Sequence, residues 1–188
     1  MNEAIATAFE KGVLTVTISG NSDKPAADFS PGSAPAAITV GGIEWNWARW
    51  TMSNYGPEVD LFAPAAGVNS SIPTADDAYD MFTGTSMAAP HVAGVALYLM
   101  ALEGGGDAAS ISKRILELAT PDHVDDTKGS ENLIVSGTQT WEIKESNPVM
   151  SMLLTLGCTA LQWQRRLSSP LIMRGYSHSC GSRFLFTS

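Results

Sequence analysis

The chain has 188 residues, of which 44% are hydrophobic and 16% are charged. This composition is typical of one globular domain of ordinary size and excludes a wholly disordered chain. Its formal net charge of −8 argues against a nucleic-acid-binding protein, which usually presents a basic face. The two cysteines, Cys158 and Cys180, form no CxxC motif, so neither a zinc site nor a disulfide framework is predicted.

Charge is distributed unevenly along the chain. Residues 147–188 contain four arginines and no Asp or Glu, so they carry +4 and residues 1–146 carry −12. We interpret residues 141–188 as an atypical, disordered tail that resembles translated non-coding or out-of-frame sequence, with a basic membrane-surface segment as the alternative. The longest apolar run, 149–161, is shorter than the roughly 20 residues needed to cross a bilayer, so no membrane partner is expected.

The first predicted element is an amphipathic helix within residues 1–12. Ile5, Ala8 and Phe9 lie on one side of it, and Gly12 lies just past its end. The segment has no apolar core behind a basic start, so it does not resemble a signal peptide.

Three strands and two helices are predicted to follow. Hydrophobic runs at 13–19, 36–42 and 59–64 indicate strands, and 20–35 is a loop rich in Gly, Pro, Ser and Asp. Residues 86–100 form a helix that is apolar all round, which is typical of a helix inside a domain. Residues 107–120 form an amphipathic helix with Asp107 as N-cap. This order of elements favours an α/β fold.

Ser86 stands at the start of the apolar helix, after Gly84 and Thr85. The unpaired N–H groups of a first helical turn and the helix dipole both favour an anion there, as acyl transfer by a serine nucleophile requires. The alternative is that Ser86 only caps the helix. The G-x-S-x-G motif of α/β-hydrolases does not match, because Ala88 occupies the place of its second glycine.

The sequence GTSMAAPHVAG around Ser86 closely resembles the active-site serine motif of subtilisin-like serine proteases. GVLTVTISGNS resembles the oxyanion segment of that family, and FSPGSAPAAITVGG and MSNYGPEVDLFAPA resemble the segments that follow it in proteinase K-like members. The resemblance runs from about Asn2 to about Leu133. It implies that residues 1–140 are the C-terminal part of a doubly wound parallel-sheet peptidase domain that acts on polypeptides, in an extracellular family.

The resemblance also implies roles for individual residues. Ser86 matches the nucleophile, and Asn21 matches the side-chain donor to the oxyanion. Ser19 and Gly20 match one wall of the substrate pocket, although the family usually has alanine where Ser19 stands, which leaves the pocket preference open. Without the resemblance, Asn21 could simply be an asparagine tolerated in a turn after Gly20.

A calcium site is implied in the same way. Pro35, Ala37 and Asp60 match two carbonyl ligands and one carboxylate ligand of a structural calcium ion in proteinase K-like members, and calcium prefers such hard oxygen donors. The alternative is a solvated aspartate at a strand end.

The sequence offers no partner base for Ser86. The Asp-Ser/Thr-Gly and His-Gly-Thr-His motifs of the family are absent, and Asp126-Thr127 is followed by Lys128. His91 would lie about 140° around the helix from Ser86 and about 7.5 Å along it, so it cannot take the proton. His123 lies in an acidic loop, where solvation is the simplest interpretation, and His178 lies in the tail.

We therefore expect a chain that begins inside the fold and needs a missing N-terminal half as its partner. Two functions are consistent with this sequence. The first is a serine endopeptidase of which the chain is a fragment, inactive alone. The second is a non-catalytic interaction module that retains half of a protease fold.

Overall fold

The computed structural model describes residues 1–137, so the predicted tail at 141–188 lies outside the described residues. The elements in chain order are α1 (Asn2–Glu10), β1 (Thr15–Ile18), a short 3-10 helix (Ala26–Asp28), β2 (Ala37–Ile43), β3 (Leu61–Pro64), β4 (Val68–Ser71), β5 (Tyr79–Phe82), α2 (Thr85–Leu102), α3 (Ala108–Leu118), β6 (Thr120–Pro121) and β7 (Leu133–Ile134).

A five-stranded sheet in the order β1-β2-β3-β7-β6 organises the described residues. Its first four strands are parallel, with Thr15 opposite Ala37 and Val40 opposite Leu61, and β6 pairs antiparallel to β7. Residues 38–43 of β2 are all buried, as expected for a central strand covered on both faces. The predicted α/β class is confirmed, and β1, β2 and β3 lie within or beside the three predicted strand segments.

The main core lies between this sheet and the helices α2 and α3. Strands β2 and β3 contribute Ile38, Val40 and Leu61, and α2 contributes Val92 and Leu99. These side chains interdigitate because apolar residues on α2 recur every three or four positions on the face toward the sheet.

The other face of α2 is not buried within the described residues. Leu97 is 68% exposed and Met100 is 39% exposed, so α2, although apolar all round, is covered on only one side within residues 1–137. The reason is that only one face of α2 has the sheet and α3 to pack against. By length and composition α2 could also cross a membrane, a property that it shares with core helices of soluble proteins.

The two flanking helices have the predicted ends. Asp107 is the N-cap of α3, and its carboxylate accepts a hydrogen bond from the Ser110 backbone N–H at 2.7 Å. Helix α1 buries Ile5 and ends before Gly12, whose φ of +83° suits glycine. Strands β4 and β5 form an antiparallel hairpin between β3 and α2.

Candidate active site

Ser86 is the second residue of α2 and is exposed to solvent. Gly84 is the N-cap, and glycine has no side chain with which to cap the helix. The interpretation of Ser86 as a capping residue is therefore wrong. The Ser86 backbone N–H belongs to the first turn, where N–H groups lack intrahelical acceptors and the helix dipole favours negative charge.

Asn21 reaches the start of α2 from the loop that follows β1. Its Oδ1 atom accepts hydrogen bonds from the Thr85 backbone N–H at 2.9 Å and from the Thr85 hydroxyl at 2.6 Å. A backbone N–H can only donate, so the amide oxygen must be the atom that faces Thr85. The Nδ2 group of Asn21 is left to donate elsewhere.

Two donors converge beside Gly84. A Cβ atom placed on Gly84 would lie 3.4 Å from Asn21 Nδ2 and 3.8 Å from the Ser86 backbone nitrogen. Gly84 has φ +154°, a conformation that side chains rarely adopt. The missing side chain leaves space between the two donors, next to the serine, as an oxyanion site requires.

Ser19 and Gly20 precede Asn21 and have different surroundings. Ser19 is buried, and its hydroxyl lies 3.4 Å from that of Ser53 in the interior. Gly20 has φ +111°, and a Cβ there would collide with the side-chain nitrogen of Asn54. Their role as a wall of a substrate pocket stays a prediction.

The described histidines lie apart from this serine. His91 Nδ1 lies 2.8 Å from the Met87 carbonyl oxygen on the same helix, as expected for a structural role. His123 is exposed, as predicted for a solvated histidine, and its ring centroid lies 6.3 Å from that of Trp47. Within residues 1–137 no hydrogen bond joins a histidine to Ser86, and His178 lies outside the described residues.

Asp60 lies beside the start of β2, where Pro35 and Ala37 are. Its Oδ2 atom accepts a hydrogen bond from the Thr39 backbone N–H at 2.7 Å, and its own N–H donates to the Thr39 carbonyl at 3.0 Å. Burial raises the pKa of Asp60 above 3.8, the Thr39 hydrogen bond opposes this rise, and Glu131 adds to it.

The ligand set that the resemblance implies, one carboxylate and two backbone carbonyls, is of the type that a hard cation prefers. A half-buried carboxylate that is costly to ionise gains from a nearby positive charge, and Asp60 is bonded to Thr39, two residues after Ala37. Among residues 1–137, no three His, Cys, Asp or Glu side chains come together as a metal site. The implied calcium ligands differ from such a cluster, because two of the three are backbone carbonyls.

Three residues that the sequence did not single out shape this site. Thr85 holds the amide oxygen of Asn21, Gly84 leaves the space between the donors, and buried Asn54 contacts the loop that carries Asn21. The motif around Ser86 includes Gly84 and Thr85, so their role was accessible in principle. Asn54 lies 32 positions from Ser22, and no local pattern points to that contact.

Residues 1–139 match the sequence profile of the Subtilase family. The chain is 47% identical over 133 residues to alkaline protease 1 of Aspergillus flavus, covering 71% of this chain and 33% of that protein. It is 45% identical over 132 residues to the subtilisin-like proteinase Mp1 of Magnaporthiopsis poae, covering 70% and 33%.

A solved structure of a cold-adapted subtilisin-like serine proteinase superposes with a TM-score of 0.71 at 33% identity, covering 74% of this chain and 50% of that one. The chain thus spans about a third of the length of the curated relatives it matches. From its sequence, its parallel sheet and these relatives, the chain belongs to the Subtilase family of subtilisin-like proteases.

Proposed function

We propose that this chain supplies the nucleophile and the oxyanion site of a subtilisin-like serine endopeptidase. The observation that carries the proposal is the convergence of Asn21 Nδ2 and the Ser86 N–H beside Gly84, at the N-terminus of α2. Donors preorganised around one small space suit the developing negative charge of a tetrahedral intermediate.

In the proposed reaction, Ser86 Oγ forms a bond to the carbonyl carbon of a peptide. The Oγ proton passes to a general base, and the carbonyl oxygen takes the negative charge while Asn21 and the Ser86 N–H donate to it. The C–N bond then breaks, and the protonated base returns its proton to the leaving amine. Water releases the acyl group from Ser86 in a second step.

We propose that the base, and the acid that orients it, belong to a missing N-terminal half. The β1 strand supports this, because in the described sheet it pairs only with β2 and leaves its other edge open. An unpaired strand edge and the exposed apolar face of α2 would both be covered by a further layer of a doubly wound domain. An extracellular location is part of this proposal, since the family resemblance implies it.

We further propose calcium as a structural ion held by Asp60 and the carbonyls of Pro35 and Ala37. Such an ion would fix the start of β2 against the start of β3. It would act on stability and has no step in the chemistry.

The test pairs the full 188-residue chain with a proteinase K-like N-terminal half that carries the aspartate and histidine motifs; we call this the paired protein. The chain alone should show no peptidase turnover and no labelling by a serine-directed phosphonate above a denatured control, because a neutral serine without a base is a weak nucleophile. The paired protein should gain both activities.

Substitutions then separate the roles. In the paired protein Ser86→Ala should abolish hydrolysis, Asn21→Ala should lower turnover by roughly 10²–10³-fold, and His91→Ala should affect stability only. Residual hydrolysis by Ser86→Ala would remove Ser86 as nucleophile. Ser86-dependent hydrolysis by the chain alone would reveal a base within its own sequence.

The second candidate is a non-catalytic interaction module. It is favoured by the absence, among residues 1–137, of a histidine hydrogen-bonded to Ser86. Genomic or transcript sequence upstream of Met1 separates the two functions. In-frame aspartate and histidine motifs support the peptidase, and a true promoter and start site support the module.

A further inference from the structure

The loop Ser19–Lys24, which we call the oxyanion loop, rests on one buried side chain. Asn54 is fully buried, and its Oδ1 atom accepts hydrogen bonds from the backbone N–H groups of Ser22 at 2.9 Å and Lys24 at 3.2 Å. Its Nδ2 group donates to the Ser19 carbonyl at 3.0 Å. Asn54 thus holds the backbone on both sides of Asn21.

The main chain of Asn54 adds a further contact, because its N–H donates to the Gly20 carbonyl at 2.9 Å. Gly20 has no side chain, and a Cβ there would occupy the place of the Asn54 amide nitrogen. Glycine at this position therefore allows the close approach of Asn54 to the loop.

A second anchor holds the far end of the loop. Lys128 Nζ lies 2.7 and 3.0 Å from the two carboxylate oxygens of Asp23, and Arg49 Nη2 lies 3.1 Å from Oδ1. The Arg49 side chain is 2% exposed and also donates to the Ser53 carbonyl. A buried guanidinium held by several acceptors is a fixed point to which Asp23 can attach.

The backbone at this anchor is strained. Asp23 has φ +50° and Lys128 has φ +49°, values in the left-handed region that costs side-chain-bearing residues energy. The two residues come from loops 105 positions apart and meet in one ion pair. Surrounding contacts must stabilise this geometry for it to persist.

Asn21 itself is exposed, and its described side-chain hydrogen bonds go only to Thr85. Its amide can reach Thr85 only if the backbone of the oxyanion loop is already in place. A donor must sit within a fraction of an ångström of the developing charge to be effective, so the residues that hold this backbone control the donor.

We propose that Asn54 and Asp23 are positioning residues, which preorganise the oxyanion loop so that Asn21 Nδ2 faces the space beside Gly84. This inference rests on the proposed function, and it assigns to two residues outside the serine motif a share of transition-state stabilisation. Asn54 acts through its hydrogen bonds to the loop backbone, and Asp23 acts through its ion pairs with Lys128 and Arg49.

The test uses the paired protein with Asn54→Ser and Asp23→Asn, and Asn132→Ser as matched control. Asn132 makes a similar pair of bonds, but to Val124 and not to the oxyanion loop: it accepts from the Val124 N–H at 2.8 Å and donates to the Val124 carbonyl at 3.0 Å. Each variant is measured for kcat and KM and for hydrogen exchange at the Ser22 and Lys24 amides.

We expect kcat to fall about tenfold or more in Asn54→Ser and severalfold in Asp23→Asn, with KM within about twofold, because the donor acts in the transition state. Exchange at Ser22 and Lys24 should accelerate in Asn54→Ser. Asn132→Ser should lower thermal stability and leave kcat unchanged. Combining Asn54→Ser with Asn21→Ala should cost little more than Asn21→Ala alone.

A fully additive loss in that double variant would overturn the proposal, as would unchanged kcat in both single variants. Asp23 is partly exposed, so Asp23→Asn remains informative if Asn54→Ser fails to fold. If the unsubstituted paired protein shows no Ser86-dependent turnover, the proposed function fails. The exchange rates and the NMR shift of the Asn21 side-chain amide then decide the positioning alone, and unchanged values in both variants overturn it.

Discussion

The side-chain oxygen of Asn21 lies 2.9 Å from the backbone nitrogen of Thr85, so one amide joins the loop after β1 to the first turn of α2. The two residues are 64 positions apart in sequence. This hydrogen bond determines which end of the Asn21 amide is free, and hence whether the site presents a donor or an acceptor beside Ser86.

Gly84→Ala should lower turnover of the paired protein by about 10²-fold, comparable to the loss of one oxyanion donor. The added methyl would lie 3.4 Å from Asn21 Nδ2, in the space between the donors, and would strain a backbone with φ +154°. Steady-state kinetics measure the effect.

Gly94→Ala in the same helix is the matched control, since a Cβ there meets nothing within 4 Å. We expect it to preserve turnover and to stabilise the helix by about 0.5–1 kcal/mol. Full activity of Gly84→Ala would show that the space beside Gly84 is not where the oxyanion forms.

Asp60→Ala should lower the thermal midpoint of the paired protein in calcium and change it little in chelator. The reason is that a bound cation stabilises only the state that holds it. Scanning calorimetry in the two conditions makes the comparison. An equal loss in both would leave Asp60 a packing role through its hydrogen bond to Thr39.

The pH dependence of stability without calcium offers a separate check on Asp60. Its folded-state pKa is raised above 3.8, so the folded state binds the proton more tightly than the unfolded state. The stability that this group contributes is fully present below its unfolded-state pKa of about 3.8, and it is lost as pH rises through the higher folded-state pKa. Asp60→Asn should remove this fall, and calcium should offset it in the unsubstituted protein.

Asp23→Asn should destabilise the paired protein at neutral pH and have little effect in strong acid. The hydrogen bond from Lys128, followed by the charge of Arg49, lowers the pKa of Asp23 below 3.8. Stability from this carboxylate is therefore present above its unfolded pKa and is lost as pH falls through the lower folded value. Thermal melts of both proteins at several pH values test this, and a difference independent of pH would contradict it.

The 188-residue chain alone should aggregate. The open edge of β1 and the exposed face of α2 around Leu97 and Met100 offer backbone and apolar surface to other copies. Light scattering and calorimetry of the unpaired chain measure this. A soluble monomer with a sharp cooperative melt would show that the described fold needs no further layer.

The main strands and helices were predictable because each is marked locally. The β-branched run of β1 and the Asp107 cap before α3 are signals that lie within a few residues, and both elements form where these signals predict them. The hairpin β4–β5 was not predicted, since the VNSS sequence of β4 lacks clear alternation and the YDMF residues of β5 are all exposed. Strands β6 and β7 have two residues each, too short for a pattern.

The residues of the candidate site also fall into two groups, those that a local sequence motif marks and those that it does not. Ser86 and Asn21 stand in recognisable segments, so the sequence pointed to both. Asn54 and Arg49 act through contacts with residues 26 or more positions away in the chain, to which a single sequence gives no periodic or motif signal. Their importance follows from where the sheet brings the loops together.

Every anchor of the oxyanion loop is encoded after the loop itself. A ribosome that has just made Asn21 must add Asn54, then Thr85 and finally Lys128, 105 positions beyond Asp23, before the full set of contacts can form. Ser86 is also translated before Lys128. When Ser86 has been added, the ion pair between Lys128 and Asp23 therefore still cannot form. The oxyanion loop can therefore complete its contacts only after nearly all of the described residues have been synthesised.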